Sequence, residues 1–81
     1  MNVLYFAWVR ERIGVPREEV ETGARTVNDL VVELRAREER YAAAFEDLSA
    51  LRVAVDQTLV DFDAPLDGAR EVAFFPPMTG G

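Results

Sequence analysis

Residues 3–9 read VLYFAWV, an unbroken apolar run that is rich in β-branched and aromatic side chains. Arginine and glutamate follow at once, so charge closes the run. A short run of this kind predicts a strand that is buried on both faces. The run EVAFF at residues 71–75 has the same character and predicts the last strand of the chain. Because these two runs are the most apolar ones, we expect them to lie side by side in the middle of one sheet.

The clearest helix begins at Thr26, whose hydroxyl can cap the backbone amide of Asp29. Apolar residues then recur with the spacing of one helical face, at Val27, Leu30, Val31 and Leu34. The same phase continues to Leu48, but a single helix of that length would span about 33 Å, more than the width of so small a domain. The sequence therefore predicts a break between Arg37 and Arg40 and a short second helical segment beyond it.

Three further strands are predicted at residues 18–21, 51–55 and 58–60, and Asp56 and Gln57 form a tight turn between the last two. The predicted order is two strands, the helical segments, and then three strands. A mixed sheet of four to five strands with one main helix on one side is an α+β domain. Two central strands far apart in sequence, with a helix crossing between hairpins, indicate a ubiquitin-like β-grasp fold.

The composition excludes several function classes. The 81 residues are enough for one domain, and they include neither cysteine nor histidine. Disulfides, thiol chemistry and Ser-His-Asp or Cys-His catalysis are therefore unavailable to this chain. The net charge of −6 argues against binding to nucleic acid or to an anionic membrane, and it favours a basic protein surface as partner. The basic residues are all arginine, so no lysine can accept an isopeptide link.

The sequence shows no sign of a membrane segment or a metal site. It has no apolar stretch of the ~18 residues that a span needs, and its first charges follow the apolar run, unlike those of a signal peptide. We therefore expect a cytoplasmic protein. Asp61, Asp63 and Asp67 superficially resemble a cation-binding loop, but Pro65 intrudes and the spacing of a calcium loop is not met. A solvated loop is the better interpretation.

Two pairs of adjacent aromatic residues fall within the predicted central strands, Tyr5 with Phe6 and Phe74 with Phe75. Neighbouring side chains of a strand point to opposite faces, so one ring of each pair should point away from the main helix. Exposed aromatic rings beside a protruding tail would form a protein-binding surface. The alternative is that the second helical segment covers these rings.

The last six residues, PPMTGG, differ from the rest of the chain. We expect a body of residues 1–75 and an extended tail of residues 76–81. The two prolines end strand pairing and stiffen the stem, and the two glycines allow backbone to enter a slot too narrow for a side chain. At ~3.3 Å per residue, the terminal carboxylate can stand about 20 Å from the body. The alternative is a frayed terminus without function.

These motifs together resemble the family of small, sulfur-carrier subunits of molybdopterin synthase, which are ubiquitin-like β-grasp proteins that end in Gly-Gly. The resemblance rests on VLYFAWVRERIG at residues 3–14, TVNDLVVEL at residues 26–34, and VAVDQTLVDFDAPLDGAREVAFFPPMTGG at residues 53–81. It covers nearly the whole chain. Asp56 stands where the family often has asparagine, and Met78 where it often has valine. Neither departure affects the two glycines.

The resemblance implies a chemistry for the tail. An E1-like adenylyltransferase would use ATP to adenylate the Gly81 carboxylate, and a sulfur donor protein would convert it to a thiocarboxylate, a 1-thioglycine. The tail, with Gly80 beside the reactive end, would enter the large catalytic subunit and give its sulfur to a cyclic pyranopterin precursor. The chain would bind no cofactor and would be no enzyme on its own. We expect the partner contacts at Phe6, Phe74, Phe75, Pro76, Pro77, Met78 and Thr79.

Three other functions remain open at this point. Thiamine-pathway sulfur carriers also end in Gly-Gly, although they are usually shorter and lack a segment like residues 35–49. A ubiquitin-like modifier would join the same carboxylate to lysines of target proteins. A plain β-grasp adaptor would bind through its aromatic face and never use its carboxylate.

Overall fold

The computed structural model describes residues 1–77. The predictions for Met78, Thr79, Gly80 and Gly81 lie outside the described residues. The strands are β1 (Asn2–Tyr5), β2 (Arg17–Glu19), β3 (Arg52–Val55), β4 (Thr58–Val60) and β5 (Glu71–Phe75). The helices are α1 (Ala7–Ile13), α2 (Val27–Arg35), α3 (Glu39–Ala44) and a 3₁₀ helix (Leu48–Ala50).

The strands form one mixed sheet in the order β2-β1-β5-β3-β4. The two central strands, β1 and β5, run parallel, with Val3 opposite Val72 and Tyr5 opposite Phe74. The outer pairings are antiparallel. The prediction that the first and last strands lie together at the centre is confirmed, and so is the ubiquitin-like β-grasp class of the fold. β1 and β5 each pair with a strand on both edges, and this central position is where the most apolar strands of the chain lie.

The predicted first strand is wrong in its second half, where the chain forms helix α1 instead. Val9 and Ile13, four residues apart, lie on one face of this helix, and both are fully buried. Helical backbone can bury both side chains on the same side, because residues four apart share a face. Gly14 then ends the helix in the left-handed conformation with φ 96°, which suits a residue without Cβ. A short apolar run alone does not distinguish the two structures.

The middle of the chain follows the prediction closely. The Thr26 hydroxyl accepts a hydrogen bond from the Asp29 amide (3.2 Å) and caps α2. The expected break lies between the end of α2 at Arg35 and the start of α3 at Glu39. A strand is predicted at residues 18–21, whereas β2 spans Arg17–Glu19.

The core lies between the sheet and the helices. Its aromatic centre is Phe74, whose ring meets the edge of Phe45 at 4.9 Å between centroids and stacks on Tyr5 at 6.4 Å. Tyr41 of α3 packs its edge against Tyr5 at 6.5 Å. All four rings are fully or almost fully buried. Aromatic contacts of this geometry add to the stabilisation from buried area. Within residues 1–77, no helix is long and apolar enough to cross a membrane.

Candidate functional site: the open face of the sheet

Within residues 1–77, the helices cover one face of the sheet and leave the other face uncovered. Along β1 and β5, Val3, Tyr5, Val72 and Phe74 are fully or almost fully buried, whereas Leu4 and Phe75 remain partly accessible. We call the uncovered side the open face. Its middle row runs across four strands, because Leu4 pairs with Ala73, Ala73 with Ala54, and Ala54 with Leu59. Cross-strand partners share a face, so this row is continuously apolar.

The apolar surface is largest where β5 leads into the tail. Phe6, Ala7, Ala73, Phe75 and Pro76 line one shallow hollow there. Phe6 is 44% exposed, although it is a large apolar residue. Pro76 has no backbone N–H, so strand pairing stops at this point and the chain can leave the sheet. The open face therefore has an aromatic end, and the tail begins beside it.

The structure separates the two aromatic pairs as strand alternation requires. Tyr5 and Phe74 point into the core, and Phe6 and Phe75 point to the open face. The expectation of Phe74 as a partner-binding residue is corrected, because its ring is fully buried among core aromatics. Pro76 and Pro77 are half-buried. The other expected contacts, Met78 and Thr79, and the chemical site at Gly80 and Gly81 lie outside residues 1–77.

Sequence reasoning missed Leu59, which is 66% exposed on the edge strand β4. A leucine so accessible on a sheet, in line with other apolar residues, extends the open face to its far edge. The signal was available in the short strand TLV, where Leu59 alternates with Val60, a residue that packs against the core.

Charged residues divide the open face into two ends. Arg52 pairs across the sheet with Phe75, so an arginine lies at the aromatic end. At the opposite end, Asn2 lies between Glu19 and Glu71. The sheet surface thus changes from arginine and aromatic rings near the tail to two carboxylates far from it, of which Glu19 pairs with the Met1 ammonium group at 2.8 Å. A partner with the opposite order of charges would dock in one orientation only.

A polar cluster centred on Glu18 lies on the covered side of the sheet, under the helices, rather than on the open face. One carboxylate oxygen of Glu18 accepts hydrogen bonds from the hydroxyls of Tyr5 (2.8 Å) and Tyr41 (2.6 Å). The other oxygen pairs with Arg37 at 3.4 Å, and Arg37 and Arg40 also lie over the Tyr41 ring. The cluster ties the edge strand β2 to α3 and β1. Its role is to hold the fold together.

The hydrogen bonds of this cluster set the pKa values of its members. Burial alone would raise the pKa of Glu18, but the two tyrosine hydroxyls and the charges of Arg37 and Arg40 outweigh it, so the pKa is lowered. Burial raises the pKa of Tyr5 and of Tyr41, and the hydrogen bonds to Glu18 add to the effect. The cluster is therefore most stable with an ionised carboxylate and two neutral phenols.

Among residues 1–77, no group of three or more acidic side chains is arranged to hold a metal ion. The open face presents apolar side chains, aromatic rings and a few charges. An exposed apolar surface of this size is typical of protein-binding sites.

Comparison with known proteins agrees with this geometry. Residues 3–81 match the ThiS family. The molybdopterin synthase sulfur carrier subunit of Escherichia coli is 49% identical over 81 residues, which cover 100% of this chain and 99% of that protein. The protein of the same name from Haemophilus influenzae is 38% identical, with the same coverage. The solved structure of SAMP1 from Haloferax volcanii, at 24% identity, shares the fold with a TM-score of 0.73 and covers 100% of this chain and 98% of its own. Because the match spans almost the whole chain, this protein belongs to the ThiS family.

Proposed function

We propose that this chain is the sulfur-carrier subunit of a molybdopterin synthase. The observation that carries the proposal is the 49% identity over the full chain with a protein of that name. The open face supports it, because its aromatic end lies where the tail leaves the body. The body would dock, and the tail would deliver sulfur from Gly81.

The chemistry of the tail follows from the properties of a carboxylate. A C-terminal carboxyl has a reference pKa of about 3.5, so at neutral pH it is an anion and a poor electrophile. In the proposed cycle, an E1-like enzyme converts it to an acyl adenylate with ATP and releases pyrophosphate. Sulfide-level sulfur from a sulfur donor protein then attacks the acyl carbon: the new C–S bond forms as the C–O bond to AMP breaks, AMP leaves, and a thiocarboxylate remains on Gly81. A dithiolene holds two sulfur atoms, so the large subunit would use the sulfur of two loaded chains to build it on a cyclic pyranopterin precursor, and water would restore the Gly81 carboxylate of each chain.

The chain would supply no acid, base or metal to this reaction. It contains no histidine, the residue that most often moves protons in catalysis, and in the proposed cycle the partners supply the acid and base groups. The chain acts as a reagent that is consumed and recharged, and the large subunit acts as the catalyst. This division explains how so small a domain could take part in a demanding reaction.

The test is a reconstitution with the E1-like enzyme, a sulfur source and the purified large subunit. Loading should raise the intact mass by about 16 Da, since sulfur replaces one oxygen, and fragmentation should place the change on Gly81. Deleting Gly81 withdraws the end of the chain by ~3.3 Å and should reduce molybdopterin formation by orders of magnitude. Gly81→Ala keeps the reach but adds a Cβ, and it should also impair transfer.

The control measurements in this experiment are the folding stability of the body and its affinity for the large subunit. Both variants should keep the wild-type melting temperature and the wild-type affinity for the large subunit, since neither change reaches the open face. Wild-type molybdopterin formation by the Gly81 deletion would overturn the proposal. It would also favour a plain adaptor that uses its face and not its carboxylate.

A further inference from the structure

Two residues with left-handed backbone bound helix α1, and only one of them is a glycine. Gly14 ends the helix with φ 96°, and its N–H donates to the carbonyl of Arg10 at 2.7 Å. Ala7 begins the helix with φ 52°. Left-handed backbone suits glycine but strains a residue that carries a Cβ. At the start of α1, the sequence therefore retains a methyl group at a position that glycine would occupy without strain.

The strain at Ala7 arises because the chain passes from strand to helix without a linker. The N–H of Phe6 donates to the carbonyl of Phe74 at 3.1 Å, which continues the pairing of β1 with β5. The carbonyl of Phe6 accepts from the N–H of Val9 at 3.1 Å, which opens the first turn of α1. The N–H group of Phe6 thus belongs to the sheet and its carbonyl group to the helix. The backbone changes from strand to helix direction at Ala7.

The surrounding structure holds this corner in place. Val9 and Ile13 fix α1 from below, because both side chains are fully buried. The Phe6 ring and the Ala7 methyl group are both exposed, and both line the hollow at the aromatic end of the open face. Strained backbone that is held by its surroundings is often found where a side chain must be presented in one fixed direction.

We propose that Ala7 is a positioning residue, whose left-handed corner holds the Phe6 ring in its binding orientation before the partner arrives. The inference rests on the proposed function, because it takes the large subunit of molybdopterin synthase as the occupant of the open face. Glycine at this position would relieve the strain but would allow the corner to sample other conformations. A flexible corner loses conformational entropy when the partner orders it, which weakens the affinity. A corner that is already ordered in the free protein avoids this entropy loss.

The test compares Ala7→Gly with Gln57→Gly in the full chain. Gln57 also has a left-handed backbone, with φ 71°, but it lies in the hairpin turn at the other end of the sheet from Phe75. Both variants should melt at or above the wild-type temperature. Only Ala7→Gly should weaken binding to the purified cognate large subunit, by about three- to fivefold, the equivalent of the extra freedom of glycine over alanine.

Two further measurements separate positioning from a simple loss of contact. Side-chain scalar couplings of Phe6 in the free Ala7→Gly protein should show averaging between rotamers, whereas the wild type should show one rotamer. Ala7→Asn should restore the single Phe6 rotamer in the free protein, because asparagine tolerates the left-handed region without the full freedom of glycine. Wild-type affinity for Ala7→Gly, unchanged couplings, or the absence of rescue by asparagine would each overturn the inference.

The Phe6→Ala variant shows which of the two proposals has failed. If Phe6→Ala weakens binding and Ala7→Gly does not, the open face is the docking surface but the corner plays no part in presenting it. If neither variant affects binding, docking through the open face is itself wrong.

Discussion

Phe74 and Phe75 are neighbours in one strand, yet they lie in opposite environments. Phe74 is fully buried under the helices, and Phe75 stands half-exposed on the open face beside the tail. Tyr5 and Phe6 repeat the contrast at the end of β1. The comparison teaches that two consecutive aromatic residues can serve two separate purposes. One stabilises the domain, and the other is available for recognition, so mutations should separate stability from binding.

The largest effect is expected for Phe74→Ala. The change removes a ring that contacts three other aromatic rings and leaves a cavity at the centre of the core. Large-to-alanine changes of this kind reduce the free energy of unfolding by about 3–5 kcal/mol, which is much of the stability of a small domain. Chemical denaturation measures this quantity. A loss below about 1 kcal/mol would mean that the ring is not part of the core.

Phe75→Ala tests the other side of the comparison. The ring lies at the aromatic end of the open face, so its removal should change the free energy of unfolding by less than about 1 kcal/mol. Affinity for the large subunit should fall by about 2 kcal/mol, or roughly 30-fold, as for an aromatic residue at the centre of an interface. Calorimetric titration measures the affinity. The two faces would not be independent if Phe75→Ala unfolded the domain, or if it left binding unchanged.

Glu18 provides a smaller test on the covered side, and this one depends on pH. Glu18→Gln keeps an oxygen that can accept from the tyrosines but removes the charge, so the free energy of unfolding should fall by about 1 kcal/mol at neutral pH. The pKa of Glu18 is lowered in the folded protein from an ordinary value of 4.5. Its contribution is therefore fully present above pH 4.5 and is lost as the pH falls through the folded pKa.

Denaturation curves of the wild type and Glu18→Gln should therefore converge as the pH falls below 4.5 and through the lowered pKa of Glu18 in the folded protein. At the other extreme, the raised pKa values of Tyr5 and Tyr41 contribute stability below their ordinary value of 10.0, and this stability declines at higher pH. Binding to the large subunit at neutral pH should be unaffected, because the cluster lies away from the open face. If the difference in free energy of unfolding between the wild type and Glu18→Gln did not change with pH, the ionised Glu18 carboxylate would not be the source of this stabilisation.

The sequence predicts that one ring of each aromatic pair is buried and the other accessible. Which ring is accessible was not predicted, although the sequence carried a signal for it. Alternation required one ring of each pair to be exposed, but the pairs alone do not say which one. Asn2 and Glu71 carry that information. They are the polar residues at the starts of β1 and β5, and they mark residues 2, 4 and 6 and residues 71, 73 and 75 as the side of the open face, where all but the small Ala73 are at least partly accessible.

The start of α1 could not be derived from local pattern. VLYFAWV is equally apolar throughout, and nothing within it marks the point where a strand becomes a helix. The deciding contacts are distant in sequence, because the N–H of Phe6 pairs with Phe74 and the buried faces of Val9 and Ile13 pack in the core. Two signals needed residues beyond the run: the four-residue spacing from Val9 to Ile13, and the glycine that follows. Helix α2, by contrast, carries its own cap and its own apolar stripe, and it was predicted correctly.

The smallest effect concerns the hairpin that presents Leu59 to the open face. Asp56 and Gln57 both have left-handed backbone, with φ 48° and 71°, which is the geometry of a two-residue turn that favours Asn-Gly or Asp-Gly. Asp56 is held there by its side chain, whose Oδ1 accepts from the N–H groups of Arg70 (2.9 Å) and Glu71 (3.0 Å). Gln57 is exposed, so its replacement by glycine should relieve strain without the loss of a packed side chain.

Gln57→Gly should therefore raise the free energy of unfolding by about 0.5 kcal/mol, since relief of the left-handed conformation exceeds the extra entropy that glycine gives the unfolded chain. Asp56→Ala is the matched control in the same turn. It removes the acceptor of two backbone N–H groups and should reduce the free energy of unfolding by about 1–2 kcal/mol. Thermal and chemical denaturation of both variants measure the effects. If Gln57→Gly destabilised the hairpin, the left-handed backbone at Gln57 would not be strained. Ala7 would then be the residue left to show whether left-handed backbone strains this domain.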